Sequence, residues 1–256
     1  MSRTYVVYQR NAFTIIELIV VICIIGILTA LLLPVLHQAR LQAKFAFCQS
    51  NLHQYGVAGN TYTAENNDYF PNPNKWLYAV SITGSCQWHD EKNNTINRPE
   101  NAGSLWPYLN NKDVHLCPVF NNLAEKYGPA HPYHYEHPDI PIEPQYSYSM
   151  NSQLGRSKKD AVIKISHVRR PATVFWFAEE NMWTIEGKSY TVLNNTNLFI
   201  RSPAYIFGEY GSECVATYHN PPGGDINKGR GNAVFVDGHV DSISADEDVF
   251  KLSRPK

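Results

Sequence analysis

The sequence predicts an α+β protein: a long N-terminal helix, transmembrane in its first half and kinked at Pro34, packed on a β-rich head with long loops. Three observations carry this. A nearly unbroken apolar block runs from Phe13 to Leu33, a stripe at three-and-four spacing continues beyond it, and the remainder alternates short apolar runs with Asn-, Pro- and Tyr-rich stretches. The boundaries that follow are residues 1–12 as a short basic segment, 13–62 as the helix and 63–256 as the head.

In the apolar block only Thr14, Glu17, Gly26 and Thr29 are not strongly apolar. A helix over these residues would be ~31 Å long, enough to cross a bilayer core, and it has no polar face to present to water. Ahead of it, Arg3 and Arg10 stand without an acid, so the positive-inside rule leaves this end in the cytoplasm and sends the head across. A cleaved secretory signal would have a shorter apolar region closed by a small-x-small site, and neither condition is met after Leu33. Pro34 removes a backbone donor and is expected to kink or loosen the helix. The pattern then resumes through Leu36, Ala39, Ala43, Phe47, Cys48, Leu52 and Tyr55, fades at Gly56 and Gly59, and stops at Asn66-Asn67-Asp68.

Within the head, Ala172–Ala178 reads as a buried strand, with Leu198–Ile200 and Tyr205–Phe207 as weaker ones. Ala233–Val236 and His239–Ile243 flank Asp237-Gly238, a dipeptide favoured in two-residue hairpin turns. Twenty-two Lys and Arg against 23 Asp and Glu give a net charge of -1. With no basic excess to neutralise phosphates, nucleic acid is not an expected partner.

Glu17 is the one ionisable residue of the span, and a carboxylate in hydrocarbon costs roughly 2.5–3.5 kcal/mol, so a partner is expected, the alternative being a Glu near the interface hydrated by snorkelling. Cleavage between Ala12 and Phe13 would create an α-amine four residues before it, on the same helix face. Phe13-Thr14-Ile15-Ile16-Glu17-Leu18, the apolar run after it and Leu33-Pro34 resemble the N-terminal segment of type IV prepilins and type II secretion pseudopilins. The resemblance implies a leader peptide of residues 1–12, a cut after Ala12 by a prepilin peptidase and methylation of the Phe13 amine. Many members have Gly where this chain has Ala12. It further implies assembly with other pilin or pseudopilin subunits into a pilus or pseudopilus, from a single-pass inner-membrane precursor with an extracytoplasmic head.

A looser resemblance covers the head. Cys48-Gln49-Ser50-Asn51-Leu52, Asn67–Pro71, Cys117-Pro118, Tyr146–Asn151 and Phe235–His239 are similar to the prepilin-like families of Lentisphaerae, Verrucomicrobia and Planctomycetes, described by a C-terminal motif of His, nine residues, then Asp-Gly. Here the ninth-spaced position is Asn227. Seventeen residues lie between His219 and Asp237, and Pro221-Pro222-Gly223-Gly224 reads as an insertion of eight that leaves His219 in the motif's place, with Asp237 and Gly238 completing it.

Five cysteines are present, Cys23 in the span and Cys48, Cys86, Cys117 and Cys214 beyond it. In an oxidising compartment four cysteines suggest two disulfides. Three pairings are possible; Cys48 with Cys117, stapling helix to head and leaving Cys86 with Cys214, is the one expected, against free buried thiols. No CxxC pair supports a zinc ribbon. His131, His134 and His137, with Glu136 and Asp139 near them, are spaced to share one face of an extended segment, but a loop that merely contains His is the commoner case. The acidic C-terminal residues Asp237, Asp241, Asp246, Glu247 and Asp248 lack an EF-hand-like spacing. No metal or cofactor is therefore expected.

Nucleophile and nucleotide signatures are missing, and the prepilin resemblance implies a chain that is a substrate of catalysis and performs none; a membrane-anchored hydrolase would require a cleft of converged Ser, His and acid side chains. The alternative to a structural subunit is a membrane-anchored surface protein whose head binds polysaccharide, for which Trp76, Trp88, Trp106 and Trp183 would supply stacking area.

Overall fold

The computed structural model describes residues 14–78, 102–109, 111–127, 142–157, 161–181, 183, 196–200 and 213–256. The chain divides into two compact units, residues 1–43 and 44–256, and α1, Ile15–Glu65, contributes to both.

In the first unit α1 is apolar all round and exposed from Ile15 to Leu33. It is long and apolar enough to cross a membrane. Thr14 caps it: its Oγ1 accepts from the Glu17 backbone N–H at 3.2 Å, while Glu17 Oε2 accepts from the Thr14 N–H at 2.8 Å. This is a capping box, which satisfies two donors that a helix start leaves free. Pro34 lies inside α1, which continues past it as one element.

The second unit is a mixed five-stranded sheet in the order β3-β1-β2-β4-β5 with helices beside it. The strands are β1 (Tyr148–Asn151), β2 (Phe175–Glu179), β3 (Asn197–Leu198), β4 (Arg230–Phe235) and β5 (Val240–Ser244). Among these strands only β1 and β3 pair in parallel. The described residues of this unit also form two short helices, α2 (Pro118–Tyr127) and α3 (Val249–Leu252).

One face of the sheet carries Tyr148, Met150, Trp176, Phe177 and Val234, in one core cluster with Cys48, Leu52 and Tyr55 of α1. The other carries Phe175, Ala178, Ala233 and Phe235, covered in part by Val249, Phe250 and Leu252. β2 departs from strict alternation because its pairing with β4 shifts register between Phe175 and Phe177. The extra residue is Trp176. The bulge lets Trp176 and Phe177 serve the same core, stacked with ring centroids 5.6 Å apart.

The α1 seam in this unit is Cys48, Asn51, Leu52, Tyr55, Gly56, Gly59 and Thr63, spaced by three and four. It begins later than the sequence pattern suggests: Leu36 and Phe47 are exposed, since an apolar residue is buried only where something covers it. Gly56 and Gly59 do not mark fading. A Cβ on Gly59 would stand 2.6 Å from the Trp176 ring, and one on Gly56 2.8 Å from the Val234 side chain. Both are points of closest approach, where only glycine fits. The helix runs to Glu65, three residues past the expected end, and stops where Asn67 and Asp68 take positive φ.

The Ala233–Ile243 hairpin is present but its turn differs from expectation. Val234 pairs with Val240, the Phe235 N–H donates to the His239 carbonyl, and the Gly238 N–H donates back to Phe235. That makes a three-residue loop, Val236-Asp237-Gly238, with Gly238 at φ 95°, the arrangement of a turn closed by a left-handed glycine. Ala172–Ala178 begins with a 3₁₀ turn at Pro171–Thr173 and becomes strand only at Phe175. Tyr205–Phe207 lies outside the described residues.

Candidate functional site

Two regions bear on function, and they lie in different units. In the first, Glu17 is partnered by Thr14, whose hydroxyl also donates to Glu17 Oε2 at 2.8 Å. The Thr-x-x-Glu capping box is legible in the sequence beside the reading that pairs Glu17 with an amine on Phe13. Ala12 and Phe13 lie outside the described residues.

In the second unit, four segments far apart in sequence converge. Cys48 comes from the seam of α1, Cys117 from the residue before α2, Glu179 from the end of β2, and His219 from a segment bridged to Arg230 at the start of β4. One ligand-type atom from each lies within 4.8 Å of the others, and all four residues are buried. The Cys48 and Cys117 sulfurs are 2.7 Å apart. His219 Nε2 is 2.8 Å from Glu179 Oε1 and 3.5 Å from Cys117 Sγ. Glu179 Oε2 accepts the Asn232 backbone N–H at 2.7 Å, and the Cys117 N–H donates to Ser147 Oγ at 2.8 Å.

Electrostatics follow from burial. Burial pulls the His219 imidazole down, but Glu179 and Cys117 beside it outweigh this and push it up to about 10. Burial, the Cys48 contact and the Glu179 charge hold the Cys117 thiol well above its ordinary value. For Cys48 the Cys117 contact lowers the thiol, but burial and Glu179 outweigh it and the net shift is upward.

The Cys48 and Cys117 expected to pair are thus brought together, although as free thiols. Cys214 is buried, Cys23 is exposed, and Cys86 lies outside the described residues with His131, His134, His137 and Trp88. His219 enters the cluster, whereas Asn227, at the nominal motif spacing, accepts the Trp183 indole N–H. Asp237 contacts His239 at 2.5 Å, and Gly238 lies against α1, its Cα 3.7 Å from where a Cβ on Gly56 would stand. The Asp-Gly turn therefore docks the hairpin on the seam. Glu179 was not singled out by sequence reasoning. Its signal is a carboxylate closing the apolar run Thr173–Phe177, where a buried acid needs a partner.

The C-terminal acids serve local turns: Asp248 caps α3 by accepting from Lys251, and Glu247 accepts from Ser244. Trp76 is fully buried and Trp106 and Trp183 are half-buried, which takes most of their ring area from a sugar-stacking face. A cleft of about 540 Å³ beside α1, lined by Gln54, Val57, Thr61, Tyr108, Asn111 and Val114, carries no His, Cys or acid. Comparison with known protein families, with curated proteins and with solved structures finds no match for this chain.

Proposed function

We propose that this chain is a prepilin-like structural subunit. It is inserted by the first half of α1 with residues 1–12 in the cytoplasm, cut after Ala12 by a prepilin peptidase and methylated at Phe13. It then assembles with other pilin or pseudopilin subunits into a type IV pilus or type II pseudopilus, with the head outside the cytoplasm. The supporting observation is a single helix, Ile15–Glu65, that is exposed and apolar on every side from Ile15 to Leu33 and buried along one side from Cys48 onward. Such an element anchors in lipid before assembly and offers the same apolar surface to neighbouring helices afterwards. Glu17, within the first turn, supplies the charge that a neighbouring subunit's amine would meet.

The test is mass spectrometry of the N-terminal peptide after expressing the full chain in membranes with and without a prepilin peptidase. The expected result is a peptidase-dependent new terminus at methylated Phe13. An intact Met1 in both samples overturns the reading and leaves a plain anchor.

A further inference from the structure

We propose that Cys48, Cys117, Glu179 and His219 bind one thiophilic divalent cation of the zinc class, in a closed tetrahedral structural site. The donor set is two sulfurs, one imidazole nitrogen and one carboxylate oxygen, each from a different segment and all buried. Two thiolates with an imidazole suit zinc and disfavour calcium and magnesium, which take oxygen ligands. Four protein ligands, all buried, describe a structural centre rather than a catalytic one.

The sulfurs stand 2.7 Å apart, between the ~2.05 Å of a disulfide and the roughly 3.7 Å of two thiolates on one zinc ion, so both would move apart to hold it. Two details of geometry favour the ion. His219 Nε2 faces Glu179 Oε1 and Cys117 Sγ together. One N–H can be aimed well at only one of them, whereas a cation between them engages all three. Finally, the Asn232 N–H fixes Glu179 by its far oxygen, an outer-shell support that leaves Oε1 for the ion. A disulfide would use only two of the four groups and leave a buried ion pair beside it with no task.

Binding releases protons, because thiolates and a neutral imidazole nitrogen are the ligating forms. The ion would clamp the α1 seam to β2, to the start of α2 and to the segment leading into β4. This inference uses only residues 44–256, so it stands or falls apart from the pilin-like reading.

The experiment purifies the full chain in mild detergent from zinc-supplied cells, without reductant or chelator. It measures zinc by elemental analysis, and the state of each cysteine by alkylation and peptide mass spectrometry. The expected result is one zinc per chain, with Cys48 and Cys117 unmodified by alkylating agent until the protein is denatured with chelator. Cobalt exchanged for zinc should give visible bands of tetrahedral thiolate coordination. His219→Ala and Cys117→Ser should each lose most of the metal, while a His131→Ala/His134→Ala/His137→Ala variant keeps it. A Cys48–Cys117 disulfide peptide without metal overturns the proposal. So does a folded wild-type chain that retains no zinc after dialysis against it, or zinc lost only with the three-histidine variant. If the cluster variants fail to fold, the wild-type zinc and thiol counts decide.

Discussion

The two halves of α1 share a backbone and differ in what their side chains meet. Ile15, Ile16 and Leu33 stand 78%, 74% and 65% exposed, while Cys48, Leu52 and Tyr55 stand at 0%. Hydrophobicity alone would have ranked the first half as the better core. Each large apolar side chain gains about 1.5–3 kcal/mol when removed from water, so the first half needs an apolar environment that the described head does not supply. The second half is less apolar but shaped: glycines at the contact points, and Tyr55 packed edge-on against Trp76 and Phe177. Burial tracks complementarity rather than hydropathy.

Truncation should separate the halves most strongly. Leu52→Ala is expected to cost the head about 2–5 kcal/mol, the range for emptying a filled core position, and Leu32→Ala nothing measurable. Denaturant unfolding in detergent, followed by tryptophan fluorescence, gives both numbers; equal losses would erase the distinction.

Acid should find the seam next. His115 accepts or donates to Tyr55 Oη at 2.6 Å and stacks on Trp106. Burial outweighs its hydrogen bonding to the Leu109 backbone and lowers it from 6.5 to about 4. A folded value below the unfolded one means that the unfolded chain takes the proton first as pH falls. The contribution of neutral His115 is therefore complete above about pH 6.5 and is lost between there and pH 4, about 3 kcal/mol in all. Stability measured across this window in wild type and in His115→Phe should show that extra loss only in the wild type.

Glycine substitution tests shape directly. Gly59→Ala puts a methyl into the Trp176 ring, at an expected cost of about 1–3 kcal/mol. Gly26→Ala meets nothing within 4 Å and should be neutral or stabilise the helix by up to about 1 kcal/mol. Thermal unfolding of both variants checks the opposite signs. The smallest effect belongs to the first turn. Thr14→Ala removes half of the capping box and should cost about 1 kcal/mol, seen as faster amide exchange confined to residues 15–18. Protection unchanged there would mean that Glu17 holds the turn without Thr14.

The sequence determined what depends on local order. The length and composition of residues 13–33 make a helix fit to span a bilayer, the three-and-four spacing carries it on to the Asn66-Asn67-Asp68 stop, and Asp237-Gly238 between two apolar runs makes a hairpin. Cys48 and Cys117 were also legible, as an expected pair, and His219 through the resemblance to a His and Asp-Gly motif. Tertiary structure decided the partners. Glu179 joins the cluster only because a one-residue bulge at Trp176 sets which face of β2 each later side chain takes. Gly56 and Gly59 look like helix breakers in sequence and act as contact points because Val234 and Trp176 arrive opposite them. The hairpin turn has three residues rather than two, with its glycine at positive φ and lying against α1. Periodicity is written along a chain, but a site assembled from Cys48, Cys117, Glu179 and His219 has no spacing to read. Its geometry exists only where the sheet and the helix bring four distant segments together.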